Sequence, residues 1–202
     1  MSKGSVYIIS GPSGSGKDTL LNVLFKKHPE IAFSISSVTR GMRKGEVEGE
    51  KYNFISREAF EKMIAEDALL EYNLYVENYY GTPKAPVVEA TEKGLDIIIE
   101  VDVNGASNIR KKLPEAISIF IMPPSFSELE RRLRGRGTES EEVIKNRLTA
   151  ALAEIKRATE YDYIVVNDDI DIAVDHINAI IQSQKFKLSN QQHIINEVLE
   201  KC

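Results

Sequence analysis

A glycine-rich segment near the start of the chain constrains the fold more than any other feature. Residues 11–17 read GPSGSGK; they follow an apolar run at residues 6–9 and precede a helical pattern that begins at Leu20. The pattern G-x-x-x-x-G-K between a strand and a helix is typical of a phosphate-binding loop, because backbone N–H groups and the helix N-terminus converge on phosphate oxygens. The alternative is a glycine-rich turn capped by serines. The candidate phosphate-binding residues are Gly11, Pro12, Ser13, Gly14, Ser15, Gly16, Lys17, Asp18 and Thr19.

Three further apolar runs, at residues 96–99, 117–121 and 163–166, resemble the run at residues 6–9. All four are continuous rather than alternating and rich in β-branched residues, which is typical of strands buried on both faces of a parallel sheet. Amphipathic helical patterns lie between or after them. This alternation predicts an α/β fold in which helices cover both faces of a parallel sheet.

Two stretches interrupt the alternation of strands and helices. Residues 36 to about 90 combine glycines with aromatic residues, a pattern that predicts short strands and turns around one helix in a small inserted lobe. Residues 126–148 carry several arginines around Gly135-Arg136-Gly137. We interpret the arginines either as a solvated helix face, since glutamates nearly balance them, or as a mobile lid that brings guanidinium groups over an anion.

The composition limits the partners and the compartment that we expect. Lys and Arg number 26 against 31 Asp and Glu, and the resulting net charge of −5 argues against a nucleic-acid partner. Cys202 is the only cysteine, which fits a reducing compartment. No apolar run approaches the roughly 18 residues of a membrane span, and the first residues lack a signal-peptide pattern. We therefore expect a soluble, cytoplasmic protein with no membrane partner.

A second segment contains residues suited to a phosphate monoester. Residues 36–54 read SSVTRGMRKGEVEGEKYNF, in which Arg40 and Arg43 are followed by Tyr52. Planar guanidinium groups bind phosphate oxygens in pairs, and a tyrosine hydroxyl adds a further donor. The other interpretation of this segment is an exposed hairpin with charged side chains.

Taken in order, the motifs resemble those of guanylate kinases over about residues 4–184. GPSGSGK is similar to the phosphate loop of that family, and residues 36–54 are similar to its GMP-binding segment. Further blocks are NYYGTP at 78–83, IEVDVNGA at 99–106, MPPS at 122–125, RRLRGRGTESEEVIKNRL at 131–148 and VNDD at 166–169. The resemblance implies a P-loop NTPase-type core at residues 4–35, 91–125 and 149–184, a GMP-binding lobe at 36–90 and a mobile lid at about 126–148.

The resemblance also implies roles for individual residues. The residues expected to bind the GMP phosphate are Arg40, Arg43, Tyr52 and Tyr80, and the residues expected to contact the guanine are Ser36, Glu71, Thr82 and Asp102. The residues expected at the transferring phosphate are Arg132, Arg136 and Arg147, and Arg147 is also expected to contact GMP. The residues expected beside the adenine are Asn167 and Asp168. The implied catalytic set is Lys17, Arg43, Arg136 and Arg147. The alternatives are aromatic packing for the tyrosines, a surface charge for Glu71 and a turn cap for Asn167.

Mg²⁺ bound with ATP is the cofactor that the resemblance implies, and we expect ATP phosphates and water to be its main ligands. The family usually has Ser where Asp18 stands and Thr where Val38 stands, so those two contacts cannot be transferred. Asp18 is interpreted either as a carboxylate favoured by the helix dipole or as a contributor to the metal site. Glu100 is the second candidate contributor, because it shares a strand face with Asp102 two residues later.

The expected reaction is ATP + GMP to ADP + GDP, with ATP and GMP as small-molecule partners. One rival is the non-catalytic guanylate-kinase-like module that binds phosphorylated peptides, which predicts a degraded phosphate loop. A second rival is a related kinase that acts on a phosphorylated sugar, which predicts the loss of Ser36 and Glu71. Residues 185–202 are predicted to form a helical tail that either packs on the core or meets another subunit in a homo-oligomer.

Overall fold

The computed structural model describes residues 3–135 and 140–200 of the chain. Its strands are β1 (Val6–Ser10), β2 (Ala32–Phe33), β3 (Ser36–Val38), β4 (Tyr52–Phe54), β5 (Leu69–Tyr75), β6 (Asn78–Pro83), β7 (Ile97–Glu100), β8 (Ile117–Met122) and β9 (Tyr163–Val166). Its helices are α1 (Lys17–Lys27), α2 (Arg57–Ala65), α3 (Lys84–Glu92), α4 (Val103–Lys112), α5 (Phe126–Arg134), α6 (Glu141–Lys156), α7 (Ile170–Gln184) and α8 (Leu188–Leu199), with a short 3-10 helix at Arg157–Glu160.

The four predicted apolar runs form the strands of a parallel sheet with the order β2-β7-β1-β8-β9. The prediction of a parallel α/β core is therefore confirmed. The edge strand β2 was not predicted, since its two residues are too few to carry a pattern. The strands run in one direction, so their carboxyl ends all lie along the edge of the sheet where the phosphate loop begins.

Helices cover both faces of this sheet, as predicted, because successive strand residues point to opposite sides. On one face, Tyr7 and Ile9 of β1 pack with apolar residues of α1 and α7. On the other face, Val6 and Ile8 pack with residues of α3 and α4. β1 is therefore buried along its whole length, which explains its continuous apolar sequence.

A second sheet with the order β4-β3-β6-β5 forms the small lobe within residues 36–90. β3 pairs in parallel with β4 and antiparallel with β6, and β6 pairs antiparallel with β5. Phe60 of α2 is fully buried and stacks on Tyr79 with ring centroids 5.0 Å apart, which joins the helix to the sheet. α3 also begins in this stretch, but its Val87 and Ala90 pack on the core sheet instead.

The arginine-rich stretch forms two helices on either side of residues 136–139, which lie outside the described part of the chain. Leu129 and Leu133 of α5 are buried and cluster with Ala151 of α6. The α5 face opposite these leucines carries Arg131 and Arg134, both paired with glutamates. The mobility predicted for this lid stays a prediction.

The tail is helical, as predicted: α8 follows α7 after a short turn. Its residues Ile194, Ile195, Val198 and Leu199 are all exposed, so this apolar side does not pack on the core. The alternative, contact with another subunit, stays a prediction. Among the residues that the structure describes, no helix combines the length and the apolar character that crossing a membrane requires.

Candidate active site

The glycine-rich loop turns from β1 into α1 and needs glycine at two positions. Gly14 and Gly16 have φ angles of 88° and 85°, in the left-handed region that side chains disfavour. A Cβ at Gly16 would lie 2.6 Å from Asn167 Nδ2, and one at Gly14 would lie 2.9 Å from Leu129 Cδ1. Glycine is thus required both by the backbone conformation and by close approach of β9 and α5 to the loop.

Lys17 is the first residue of α1, and its side chain folds back over the loop. Its Nζ donates to the carbonyl oxygen of Gly11 at 2.7 Å and lies 3.5 Å from that of Pro12. Burial lowers the pKa of Lys17, although the nearby carboxylate of Glu100 opposes this shift. The ammonium group therefore sits inside the loop, at the place where the sequence predicts a contact with nucleotide phosphates.

Two of the three arginines assigned to the transferring phosphate lie against the loop. They are separated in sequence from their partners in the loop by 117 and 134 residues. Arg132 donates to the carbonyl oxygens of Ser15 at 3.3 Å and Asn167 at 2.9 Å. Arg147 Nη2 donates to Ser13 Oγ at 2.6 Å. The third, Arg136, lies outside the described residues, so its predicted role has no geometry here.

Asn167 joins the end of β9 to the loop. It is 3% exposed, and its Nδ2 donates to the Ser15 carbonyl oxygen at 2.8 Å. Its buried Oδ1 has no partner among the described residues. Asp168, the next residue, is exposed, as is Thr19 in the first turn of α1. Asn167 therefore fixes the loop to the neighbouring strand, which is a different role from the turn cap considered in the sequence.

The small lobe presents a fixed guanidinium group from Arg40. Its Nη atoms donate to both carboxylate oxygens of Glu46 at 2.6 Å, and the backbone N–H of Arg43 donates to the same carboxylate at 2.7 Å. The Arg40 guanidinium lowers the pKa of Glu46 to about 2. The Arg40 Cζ atom lies 5.1 Å from the Tyr52 ring centroid, a distance typical of a cation–π contact.

The two arginines of this segment differ in their exposure to solvent. The buried Nε of Arg40 has no hydrogen-bond partner among the described residues, while the side chain of Arg43 is exposed. Tyr80 lies across the lobe sheet with its ring centroid 6.4 Å from that of Tyr52. The structure thus brings together the four residues that the resemblance assigns to one phosphate, Arg40, Arg43, Tyr52 and Tyr80.

Glu71 lies at the base of the lobe and is 9% exposed. Its Oε1 accepts a hydrogen bond from Thr82 Oγ1 at 2.8 Å. Burial, with a smaller contribution from Asp102, raises the pKa of Glu71 to about 7. Glu71 is therefore a buried carboxyl group that ionises near neutral pH, and the helix-end surface charge considered in the sequence is wrong.

Asp102 has a structural role beside its predicted one. Its Oδ1 caps α4 by accepting from the backbone N–H groups of Asn104 at 2.9 Å and Gly105 at 2.7 Å. Ser36 faces it across a pocket of about 250 Å³ that Glu71 and Tyr80 also line. The four residues assigned to the guanine, Ser36, Glu71, Thr82 and Asp102, therefore lie close together.

This lobe pocket adjoins a second pocket of about 340 Å³ at the phosphate loop. Gly11, Ser13 and Lys17 line the second pocket from the loop side. The two pockets share a wall, which consists of Ser36, Tyr52, Glu100, Val101 and Asp102. A ligand in the lobe and a nucleotide triphosphate on the loop would therefore meet in one cleft.

Three acidic and basic groups meet beside the loop. Lys51 Nζ lies 2.5 Å from Asp18 Oδ1 and 3.1 Å from Glu100 Oε2. The structure thus brings together the two carboxylates that the sequence assigned to the metal side. Within residues 3–135 and 140–200, no group of three or more His, Cys, Asp or Glu side chains is placed to hold a metal ion.

Several residues of the cleft were missed by sequence reasoning. Glu154 lines the loop pocket, and Asn73 and Tyr75 line the lobe pocket. Glu154 lies seven residues after Arg147 on α6, so helical periodicity would have placed the two on one face. Lys51 and Glu46 carry no such signal, because their partners lie on other elements or across a turn.

Comparisons with known proteins agree with this geometry. The model of the guanylate kinase family matches residues 3–184. Guanylate kinase from Carboxydothermus hydrogenoformans is 47% identical over 187 residues, which is 93% of this chain and 92% of the relative. Guanylate kinase from Escherichia coli K12 is 43% identical and covers 100% of this chain and 98% of its own length.

A solved structure supports the same assignment at the level of the fold. The crystal structure of guanylate kinase from Anaplasma phagocytophilum matches with a TM-score of 0.75 and 32% identity, covering 93% of this chain and 89% of that one. The sequence motifs, the two adjoining pockets and these comparisons lead to one conclusion: the chain belongs to the guanylate kinase family.

Proposed function

We propose that this chain transfers the γ-phosphoryl group of ATP to the phosphate of GMP and releases ADP and GDP. The observation that carries the proposal is the shared wall between the loop pocket and the lobe pocket, which would place donor and acceptor in one cleft. Phosphoryl transfer depends mostly on positioning and on neutralisation of charge, and the cleft is lined by groups suited to both.

On the donor side, the backbone N–H groups of the loop and the N-terminus of α1 would bind the β- and γ-phosphates. Lys17 would turn from its carbonyl partners toward those oxygens. Arg132, which donates to the carbonyl oxygens of Ser15 and Asn167, would reach the transferring phosphate, and Asn167 and Asp168 would border the adenine. The hydrogen bond between Arg147 and Ser13 supports a position for Arg147 close to the transferred group.

On the acceptor side, Arg40, Arg43, Tyr52 and Tyr80 would bind the GMP phosphate. The pairing of Arg40 with Glu46 supports this role because it holds the guanidinium group in place, and the phosphate would replace Glu46 on the Nη atoms. The ionised Glu71 would accept hydrogen bonds from N1–H and the 2-amino group of guanine, which adenine does not offer. Ser36, Thr82 and Asp102 would complete the base pocket.

Mg²⁺ bound with ATP would shield the charge on the β- and γ-phosphates. The residues present fit this ion, since Asp18 and Glu100 supply carboxylate oxygens, the donors that Mg²⁺ prefers. Arg43, Arg136 and Arg147 would neutralise charge between donor and acceptor. No general base is needed, because the acceptor phosphate is already largely ionised at neutral pH.

A measurement of GDP formation from ATP and GMP tests the proposal, with Lys17→Met as the matched variant. We expect the parent chain to form GDP and the variant to lose activity by about 10²-fold or more while its GMP affinity is retained. A parent chain that binds both nucleotides but forms no GDP would contradict the transferase and favour the non-catalytic binding module.

A further inference from the structure

Lys51 connects the small lobe to the phosphate loop. The residue directly precedes β4 in the lobe, yet both of its carboxylate partners belong to the core: Asp18 lies in the first turn of α1 and Glu100 at the end of β7. The ammonium group therefore joins three segments that are distant in sequence, at the point where the lobe pocket and the loop pocket meet.

The contact with Glu100 differs from an ordinary surface ion pair, which contributes little because water solvates both partners. The Glu100 side chain is only 14% exposed, and Lys51 is 42% exposed. Burial raises the pKa of Glu100 even beside Lys51, while the two carboxylates together raise the pKa of Lys51 against the effect of its burial. Removal of Lys51 would leave two carboxylates close together with one cation fewer beside them.

The same two carboxylates are the oxygen donors that this chain offers to the metal carried by ATP. We propose that Lys51 is a positioning residue of the lobe: its ammonium group holds the lobe against Asp18 and Glu100, and a divalent cation competes with it for these carboxylates. The expected effect of Lys51 on catalysis rests on the proposed function, whereas its role in holding the lobe does not.

The proposal accounts for an acidic residue at position 18. A carboxylate there repels nucleotide phosphates, because both carry negative charge. Lys51 offsets that repulsion, since its Nζ is 2.5 Å from Asp18 Oδ1. Asp18 and Lys51 thus form a compensated pair, one from the core and one from the lobe.

The position of Lys51 also determines that of two acceptor-side residues. Its carbonyl oxygen accepts a hydrogen bond from the Ser36 backbone N–H at 3.3 Å, and Tyr52 is the next residue, in register with Ser36. Movement of Lys51 toward or away from the carboxylates would therefore move Ser36 and Tyr52 with it. Occupancy of the metal side would in this way influence the acceptor site.

The test is a distance measurement by pulsed electron paramagnetic resonance on the nucleotide-free full chain. Cys202 is replaced by Ser, and spin labels are attached at Glu58→Cys on α2 and Asp175→Cys on α7, both of which are exposed. The distance between the two labels then reports the position of the lobe relative to the core. Lys51→Met is compared with Lys62→Met, which removes an exposed lysine from α2 of the same lobe. Lys51→Arg keeps the charge and serves as the rescue variant.

We expect Lys51→Met to reduce the population at the parent distance by about fivefold, the size of effect that one partly exposed ion pair produces. Lys62→Met and Lys51→Arg should retain the distance distribution of the parent chain. Millimolar Mg²⁺ alone should shift the distance distribution of the parent chain toward the distribution of Lys51→Met. An unchanged distribution in Lys51→Met, or a parent chain that does not respond to Mg²⁺, would overturn the proposal.

Two further measurements keep the proposal testable. Asp18→Ser, a substitution at an exposed position, should shift the distance distribution in the same direction as Lys51→Met. This variant replaces Lys51→Met in the test if Lys51→Met fails to fold. The absence of a shift in Asp18→Ser would count against the proposal. In the kinetic assay, Lys51→Met should raise KM for GMP about threefold or more and lower the Mg²⁺ concentration for half activity, with little change in kcat. Absence of GDP formation by the parent chain would contradict the proposed function alone, because the distance measurement needs no turnover.

Discussion

The substitution Glu71→Gln should affect stability and GMP recognition in opposite directions. Burial raises the pKa of Glu71 from an ordinary 4.5 to about 7, so the folded chain binds a proton more strongly than the unfolded chain does. The contribution of Glu71 to stability is therefore greatest at low pH and falls as the pH rises from 4.5 through 7. The difference between the two pKa values corresponds to a loss of about 3 kcal/mol above neutral pH.

Glutamine has nearly the same shape as glutamate but does not ionise. In the absence of nucleotide, Glu71→Gln should therefore be more stable than the parent chain at pH 8, by up to about 3 kcal/mol, and nearly as stable at pH 5. Urea unfolding at the two pH values measures this difference. Glu66→Gln, an exposed carboxylate at the end of α2, is the matched control and should leave the pH dependence unchanged.

The same substitution should impair the use of GMP. The amide of glutamine places N–H donors where guanine also presents donors, so we expect kcat/KM for GMP to fall by about 10²- to 10⁴-fold while ATP affinity stays within about twofold. In the parent chain, KM for GMP should rise as the pH falls below about 7, because Glu71 becomes protonated. Equal losses of GMP and ATP affinity, or a less stable variant at pH 8, would refute the reasoning.

Three further predictions concern the loop, the lid and the metal side. Gly16→Ala should destabilise the fold by about 1–3 kcal/mol, because φ is 85° and the new Cβ would lie 2.6 Å from Asn167 Nδ2, and unchanged urea unfolding would contradict this. Arg136→Ala should lower kcat by about 10²-fold with little change in stability; a normal kcat with raised KM for both substrates would reject that role. Asp18→Ser should change kcat/KM by less than about tenfold at saturating Mg²⁺ while altering the Mg²⁺ concentration for half activity; an inactive parent rescued by this substitution would favour the non-catalytic module.

The sequence predicts the core sheet well because its strands are buried on both faces. β1, β7 and β8 consist almost entirely of apolar residues, so each strand can be recognised in the sequence from its composition alone. α4 carries a weaker signal: in its sequence VNGASNIRKK only four residues are buried, and two of them, Gly105 and Ala106, are small. A helix of this kind packs by close approach and carries a weak apolar pattern.

The same contrast holds in the candidate site. Residues within contiguous motifs, such as Lys17 and Arg40, could be assigned from spacing and from the resemblance. Lys51 could not, because its contact with Asp18 spans 33 residues and depends on how the lobe sits on the core. Electrostatic pairs between separate elements leave no periodic trace in a sequence, so only the folded structure reveals them.

Competition among acceptors tests the central claim most directly. ATP with Mg²⁺ is supplied to one reaction that contains equal concentrations of GMP, AMP, CMP, UMP and ribose phosphate. The AMP carries an isotopic label in its base, which distinguishes ADP formed from AMP from the ADP that ATP releases, and each product is quantified by chromatography. The account predicts GDP as the dominant product, by about 10⁴-fold over ADP derived from AMP, since Glu71 pairs with donors that adenine lacks. Comparable phosphorylation of AMP or of ribose phosphate, or no product from any acceptor, would contradict it.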